Sequence, residues 1–223
     1  MRPVSAAVVL VFAIVAGPAT ARTPQGGGST AVWNFDADRA GAPPAGFTLA
    51  KTDGGTEPRW VIRAETDAAS HPNVLAQLDA DRTSGRFPVA VAHAPTLRDL
   101  RLSVRCKPVS GRVDQACGLV FRYRDANNYY VTRANALEDN VRLYYVRDGR
   151  RREIASWNGK VGANVWHELR AEARGDRFEV YWDGEKVLDA QDRTFPDAGR
   201  VGVWTKADSV TYFDDLKVEP LGS

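Results

Sequence analysis

Of 223 residues, only two are cysteine, one is methionine and three are histidine. His71, His93 and His167 share no zinc-type spacing with one another or with a cysteine, which removes the common soft-ligand metal sites. No Gly-x-Ser-x-Gly elbow supports a serine hydrolase. After Val15 no apolar run approaches the roughly 20 residues that a spanning helix needs. Helical periodicity is missing as well: beyond residue 21 no window of eleven or more residues repeats apolar positions at i, i+3, i+4 and i+7. Charge of one sign is also scarce, with 30 basic residues against 28 acidic ones and a net charge of +2. Phosphate binding needs a concentrated basic field, so a nucleic-acid partner is disfavoured. Arg150-Arg151-Arg152 is the one basic cluster and, beside a Gly turn, reads as a solvated hairpin tip.

What is present is a succession of short alternating segments. Residues 1–21, with Arg2, the apolar run Val8 to Val15 and the small residues Ala19-Thr20-Ala21, read as a secretory signal peptide. Residues 22–31, with Gly26-Gly27-Gly28-Ser29, read as a flexible linker, and residues 32–219 as one domain exported to the periplasm or the outside of the cell. The segments predict an all-β chain folded as a two-sheet antiparallel β-sandwich. Asp148-Gly149, between VRLYYVR and RRREIA, and Asp183-Gly184, between FEVYW and EKVLD, suit two-residue hairpin turns with positive φ. Residues 37–59, rich in Gly, Pro and Thr, are expected to form a long surface loop.

Cys106 and Cys117 fall in two strand-like runs joined by Ser110-Gly111-Arg112. A hairpin centred between Gly111 and Arg112 sets the two cysteines opposite each other, and a disulfide is expected in an exported protein. A second hairpin, turning at Ala126-Asn127, sorts its side chains into two sets. Leu119, Phe121, Tyr123, Tyr130, Thr132 and Ala134 form the apolar, core-directed set. Val120, Arg122, Arg124, Tyr129, Val131 and Arg133 fall on the opposite, solvent-side face. Arginines and a tyrosine on one exposed face suit a platform for polar ring-shaped ligands, or a set of solvated cross-strand pairs.

The segments 118–156, 165–187 and 199–218, the last reading GRVGVWTKADSVTYFDDLKV, resemble the concanavalin A-like lectin/glucanase superfamily. More narrowly they resemble the bacterial 3-keto-disaccharide hydrolase domain once called DUF1080, and laminin-G-like jelly rolls. The resemblance covers about residues 32–219 and implies a jelly roll whose concave sheet holds carbohydrate. Glucanases of the superfamily carry a Glu-x-Asp-x-x-Glu strand; here the nearest approach, Glu65-Thr66-Asp67, is followed by Ser70 where the second Glu belongs. No catalytic residues are carried over.

Three further groups are candidates. The loop Asn135 to Asn140 gathers Asn135, Glu138 and Asp139, which suits capping a sugar, chelating a hard cation, or a turn bonded to itself. Trp204 and Lys206 share a face after the penultimate strand and can offer a stacking ring beside a charged donor, or mark the sheet margin. Trp166 and Trp182 read as packing residues. Asp214 stands in a row with Val210, Tyr212, Leu216 and Val218, so a buried carboxylate is expected. Either a structural calcium ion shared by Asp36 and Asp214, or backbone and hydroxyl donors, would satisfy it. The expected function is carbohydrate binding on the concave face. A hydrolase of sugar derivatives and a laminin-G-like protein-interaction domain are the alternatives.

Overall fold

The computed structural model describes residues 29–222, and the expected signal segment lies outside the described residues, as does most of the expected linker. In chain order the strands are β1 (Ala31–Trp33), β2 (Phe47–Thr52), β3 (Trp60–Ala64), β4 (Asn73–Gln77), β5 (Phe87–Ala92), β6 (Leu100–Ser110), β7 (Ala116–Asp125) and β8 (Asn128–Asn135). They continue as β9 (Asn140–Arg147), β10 (Arg150–Asn158), β11 (His167–Arg174), β12 (Arg177–Trp182), β13 (Glu185–Gln191), β14 (Arg200–Trp204) and β15 (Val210–Pro220). One sheet runs β13-β12-β11-β6-β15-β4-β3, with β1 also on β15, and the other runs β10-β9-β8-β7-β14-β5-β2. All pairings between these strands are antiparallel. The β-sandwich is the architecture expected from the sequence.

Local chemistry explains much of this. Both Asp-Gly pairs close their hairpins: Asp148 and Gly149 have φ of 51° and 74°, Asp183 and Gly184 of 48° and 88°. That handedness matches the twist of the flanking strands. On β6 every second residue, from Leu100 to Cys106, is buried, and these residues join Leu169, Phe178, Val180 and Phe213 of the same sheet. Leu119, Phe121, Tyr130 and Val203 meet them from the other sheet. Trp182 also packs in this core, stacked on His167 at 4.5 Å. Strand β2 lies inside the stretch expected to be loop. It is an edge strand bonded only to β5, and only its end residues Phe47 and Thr52 are fully buried, so no alternating pattern announces it.

The disulfide between Cys106 and Cys117 is present, but it is not a hairpin bridge. Strand β6 pairs with β11 and β15, β7 pairs with β8 and β14, and the bond joins the two sheets across the core with the Cα atoms 6.3 Å apart. The intervening loop is compact and links strands of different sheets. A Cβ on Gly111 would lie 1.7 Å from the Asp114 carbonyl oxygen, and the Asp208 carboxylate accepts from the N–H groups of Arg112, Val113 and Asp114 at 2.9 to 3.0 Å. This carboxylate clasp turns the chain from one sheet to the other.

Asp214 is fully buried, on a different face from the one expected. Asp215 has φ of 49°, and the register of β15 against β6 shifts between Asp214 and Lys217. The irregularity leaves Val210, Tyr212 and Asp214 on the outer side while Leu216 and Val218 enter the core. The loop before β4 covers the carboxylate: Ser70 donates its N–H at 2.7 Å and its hydroxyl at 2.9 Å, and the Asp215 N–H adds a third bond at 2.8 Å. Asp36 serves a different partner, the N–H of Asn73. The two carboxylates are therefore engaged separately, and among the described residues no group of three or more His, Cys, Asp or Glu is arranged to hold a metal ion. Burial pushes the Asp214 carboxyl up to about 6, against the hydrogen bonds from Ser70.

Candidate functional site

The outer face of the seven-stranded sheet is not a solvated surface. Phe87 and Val89 of β5, Val120 and Tyr123 of β7, Tyr129 and Val131 of β8, Tyr144 and Val146 of β9 and Trp204 of β14 form a second buried apolar cluster there. The face is strongly concave. The Arg151 guanidinium of β10 lies 4.8 Å from the centre of the Phe87 ring, although β10 and β5 are five steps apart in the sheet. In a flat sheet that separation is roughly 24 Å, so the two margins curl toward each other and the arginine reaches across. Its Cζ also sits 4.4 Å from the Tyr144 ring centre and 5.7 Å from that of Trp204. Three rings thus cradle one cation.

Beside this cradle is a polar cluster built on β8, β9 and the loop between them. Arg133, on the concave face of β8, donates from Nη2 to Glu138 Oε2 at 2.8 Å and to the Tyr144 hydroxyl at 3.2 Å, and from Nη1 to the Asn140 side chain. Asn140 donates in turn to Glu138 at 3.1 Å. Asn135 accepts the N–H of Leu137, shaping the loop, and donates to Asp114 at 2.9 Å. Lys206 reaches the other Asp114 oxygen at 2.6 Å. Burial raises the Asp114 carboxyl even against the Lys206 ammonium. For Glu138 partial burial is the largest single influence and pulls upward, but the Arg133 charge, the Asn140 hydrogen bond and the charges of Arg142 and Lys206 together hold the carboxyl below its ordinary range. At Arg151 burial lowers the guanidinium pKa, and the neighbouring Arg133 charge adds to that.

The sequence-selected residues divide. Arg133, Asn135, Glu138, Trp204 and Lys206 converge in one region. Tyr129 is on the expected face but fully buried, its hydroxyl 2.7 Å from Thr52 Oγ1, and it presents no ring to solvent. Its phenol is pushed well above the ordinary value by that burial. Trp204 is likewise fully buried beneath Arg151 and offers no open stacking surface in this conformation. Asp139 turns away: its carboxylate accepts from the Val161 N–H at 3.0 Å and the Lys160 ammonium at 3.1 Å.

Arg122 is the clearest correction. The register of β7 against β8 slips between Phe121 and Asp125, and Arg122 has φ of 46° where its backbone packs on Gly199. The slip sends Tyr123 outward to stack on Tyr129 at 5.7 Å and turns Arg122 inward. There its guanidinium donates to the carbonyls of Arg98, Phe195 and Gly175 at 3.0, 2.9 and 2.6 Å, with the Phe178 ring 5.3 Å away. It is a structural cation, 1 % exposed. Arg151, Tyr144 and Asp114 were missed. Arg151 sat in a run that resembled a solvated tip, and the only signal for it was its alternation with Arg150 and Arg152 along β10.

Buried donors without partners mark the same place. Arg151 Nη1, Arg133 Nε and Trp204 Nε1 are each inaccessible and unbonded. The Trp204 N–H lies close enough to the Tyr129 oxygen to influence its titration, yet outside hydrogen-bond geometry. Native interiors rarely leave such groups unsatisfied, and clusters of them ask for a ligand or an ordered solvent.

Comparison with known structures decides the fold. A carbohydrate-binding module, CBM66 from Bacillus subtilis, superposes with a TM-score of 0.62 at 23 % identity, over 78 % of this chain and 95 % of that one. The chain shares its fold. The cellulose-induced protein Cip1 matches with a TM-score of 0.61 at 10 % identity, over 86 % of this chain and 99 % of that one. Both likenesses show the two-sheet jelly-roll fold that the sequence led us to expect. In sequence, the levanase of Bacillus subtilis (strain 168) is 34 % identical over 107 residues, 47 % of this chain. The chain spans only 15 % of the length of that enzyme. No family model matches the sequence, and the narrower resemblance to the keto-disaccharide hydrolase domain rests on the segments quoted above.

Proposed function

We propose that this chain is a non-catalytic, exported carbohydrate-binding module that docks a glycan on its concave sheet. The observation that carries this reading is the set of three unpartnered buried donors, from Arg133, Arg151 and Trp204, on one ring-lined concave face. Sugars match the polar edge of such a face, where their hydroxyl oxygens accept hydrogen bonds from groups that the rings hold in place. Glu138, with its side chain 40 % exposed, stands at the accessible end and supplies an acceptor for sugar hydroxyls. The fold shared with CBM66 and the partial match to a levanase support the same reading.

A hydrolase draws less support from the cluster. Asp114 and Glu138 have carboxyls shifted in opposite directions, as an acid and its partner require. Yet Asp114 is 1 % exposed and both its oxygens are occupied by Asn135 and Lys206. It has no route to a glycosidic bond.

Affinity electrophoresis and calorimetry with a panel of soluble polysaccharides test the proposal. At least one should retard the protein, and Glu138→Ala should weaken that binding about tenfold or more while melting within a few degrees of wild type. Failure of every polysaccharide to bind, or unchanged binding by the variant, would reject it. Glycoside turnover by the purified protein that vanishes in Glu138→Gln would put the hydrolase in its place.

A further inference from the structure

The charges around the concave site do not balance. Arg133, Arg151 and Lys206 face Asp114 and Glu138, and the pairs Arg133–Glu138 and Lys206–Asp114, at 2.8 and 2.6 Å, use up both carboxylates. Among the described residues Arg151 makes no ion pair, and its Nη1 is buried without a hydrogen-bond partner. The rings of Phe87, Tyr144 and Trp204 hold the guanidinium in place but accept no hydrogen bond in its plane. The guanidinium as a whole is partly exposed, so an anion arriving from solvent can reach its unbonded N–H groups, while the desolvated, unpartnered Nη1 is a cost that such an anion offsets. Burial is the largest influence on its guanidinium and acts against the protonated form, as does the Arg133 charge, while Tyr144 and Asp114 act for it.

We propose that the ligand of this site is an acidic glycan, and that Arg151 receives its anionic substituent, a carboxylate or a sulfate ester, in a two-point hydrogen-bonded pair. The proposal rests on the carbohydrate-binding reading above and narrows its ligand class. A planar guanidinium held by rings is pre-ordered for forked contact with two oxygens of such a group, which an ammonium is not. Sugar hydroxyls then fall to Glu138, Asn140 and the free Arg133 Nε, beside the cradle. On the other side of β10, Arg147, Arg150 and Arg152 line an open cleft of about 520 Å³ with Tyr145 and Asp148, which offers a separate, solvent-exposed attraction for polyanions. That cleft is the competing source of any preference for acid, and the test separates the two.

The experiment measures the affinity of the full chain for matched polysaccharides in low and high salt. One pair is polygalacturonate and its carboxyl-reduced neutral product; the other is a sulfated galactan and its desulfated form. Wild type should bind at least one acidic member tenfold or more tightly than its neutral counterpart, with the gap shrinking as salt rises. Whichever pair shows the gap identifies the substituent. Arg151→Gln, which removes the charge and keeps a donor, should close the gap, and Arg151→Lys should restore it only in part. A gap that persists in Arg151→Gln assigns the preference to the Arg147–Arg152 cleft and overturns the role of Arg151. Equal affinity of wild type for neutral and acidic members overturns the acidic class while leaving the carbohydrate-binding function standing. Absence of binding to any glycan removes both. If Arg151→Gln folds poorly, the cleft variant Arg147→Gln/Arg150→Gln/Arg152→Gln decides instead: a gap that persists in it keeps the preference with Arg151, and a gap that closes overturns that role.

Discussion

Burial of Asp214 makes the stability of this protein depend on pH in an unusual direction. Its carboxyl is raised from an ordinary value near 3.8 to about 6 by burial, which outweighs three hydrogen bonds to the ionised form. Between those two values the folded state holds a proton that the unfolded chain releases. Stability from this group is therefore complete below about pH 3.8 and is lost as pH rises through about 6. A separation of about two pKa units corresponds to roughly 3 kcal/mol. Most paired carboxylates in proteins produce the opposite trend. Asp214→Asn removes the titration but keeps the shape. In either amide orientation it retains an acceptor for Ser70 and gives up one backbone N–H bond, at a cost of about 1–3 kcal/mol. Urea unfolding of both proteins at intervals from pH 4 to pH 7.5 isolates the effect, because every other titrating group is common to the two. The difference in unfolding free energy should move in favour of the variant by about 3 kcal/mol across that range, with its midpoint shift falling between pH 4 and 6. Parallel curves would refute the reasoning, since they would mean that Asp214 has the same pKa folded and unfolded.

Two further outcomes follow from the core. Arg122→Ala strips three carbonyls of their donor and leaves a void beside Phe178; it should destabilise the fold by about 3–5 kcal/mol in chemical denaturation while, in the folded fraction, leaving glycan affinity unchanged. Loss of affinity without loss of stability would return Arg122 to the binding face. Replacing Cys106 and Cys117 with Ala and Val should lower stability by about 2–4 kcal/mol, measured by urea unfolding against the oxidised wild type. No change would show that the two sheets are held without the bridge.

Much of the site was legible in part. Arg133, Glu138 and Asn135 were found because a polar loop follows directly on a strand, and local spacing keeps them together in any register. Arg122 was misplaced by a slip of β7 between Phe121 and Asp125, a feature that strict alternation cannot anticipate. The same kind of slip after Asp214 gave a correct expectation of burial through the wrong face. Arg151 illustrates the harder limit. Its neighbours in sequence are arginines and its neighbours in space are rings from β5, β9 and β14, and nothing in the local pattern connects the two.

What the chain determined alone was whatever short-range chemistry controls: the Asp-Gly turns with their positive φ, the alternation that makes sheet rather than helix, and a pair of cysteines with no other partner to choose. The tertiary structure decided which sheet each cysteine joined, which way β7 and β15 turned their side chains after a slipped register, and whether the second face of the seven-stranded sheet met water. Curvature made that last decision. By drawing β10 toward β5 it buried the face on which sequence spacing had placed Tyr129 and Arg133 in solvent, and set rings from β5, β9 and β14 around the unpaired Arg151.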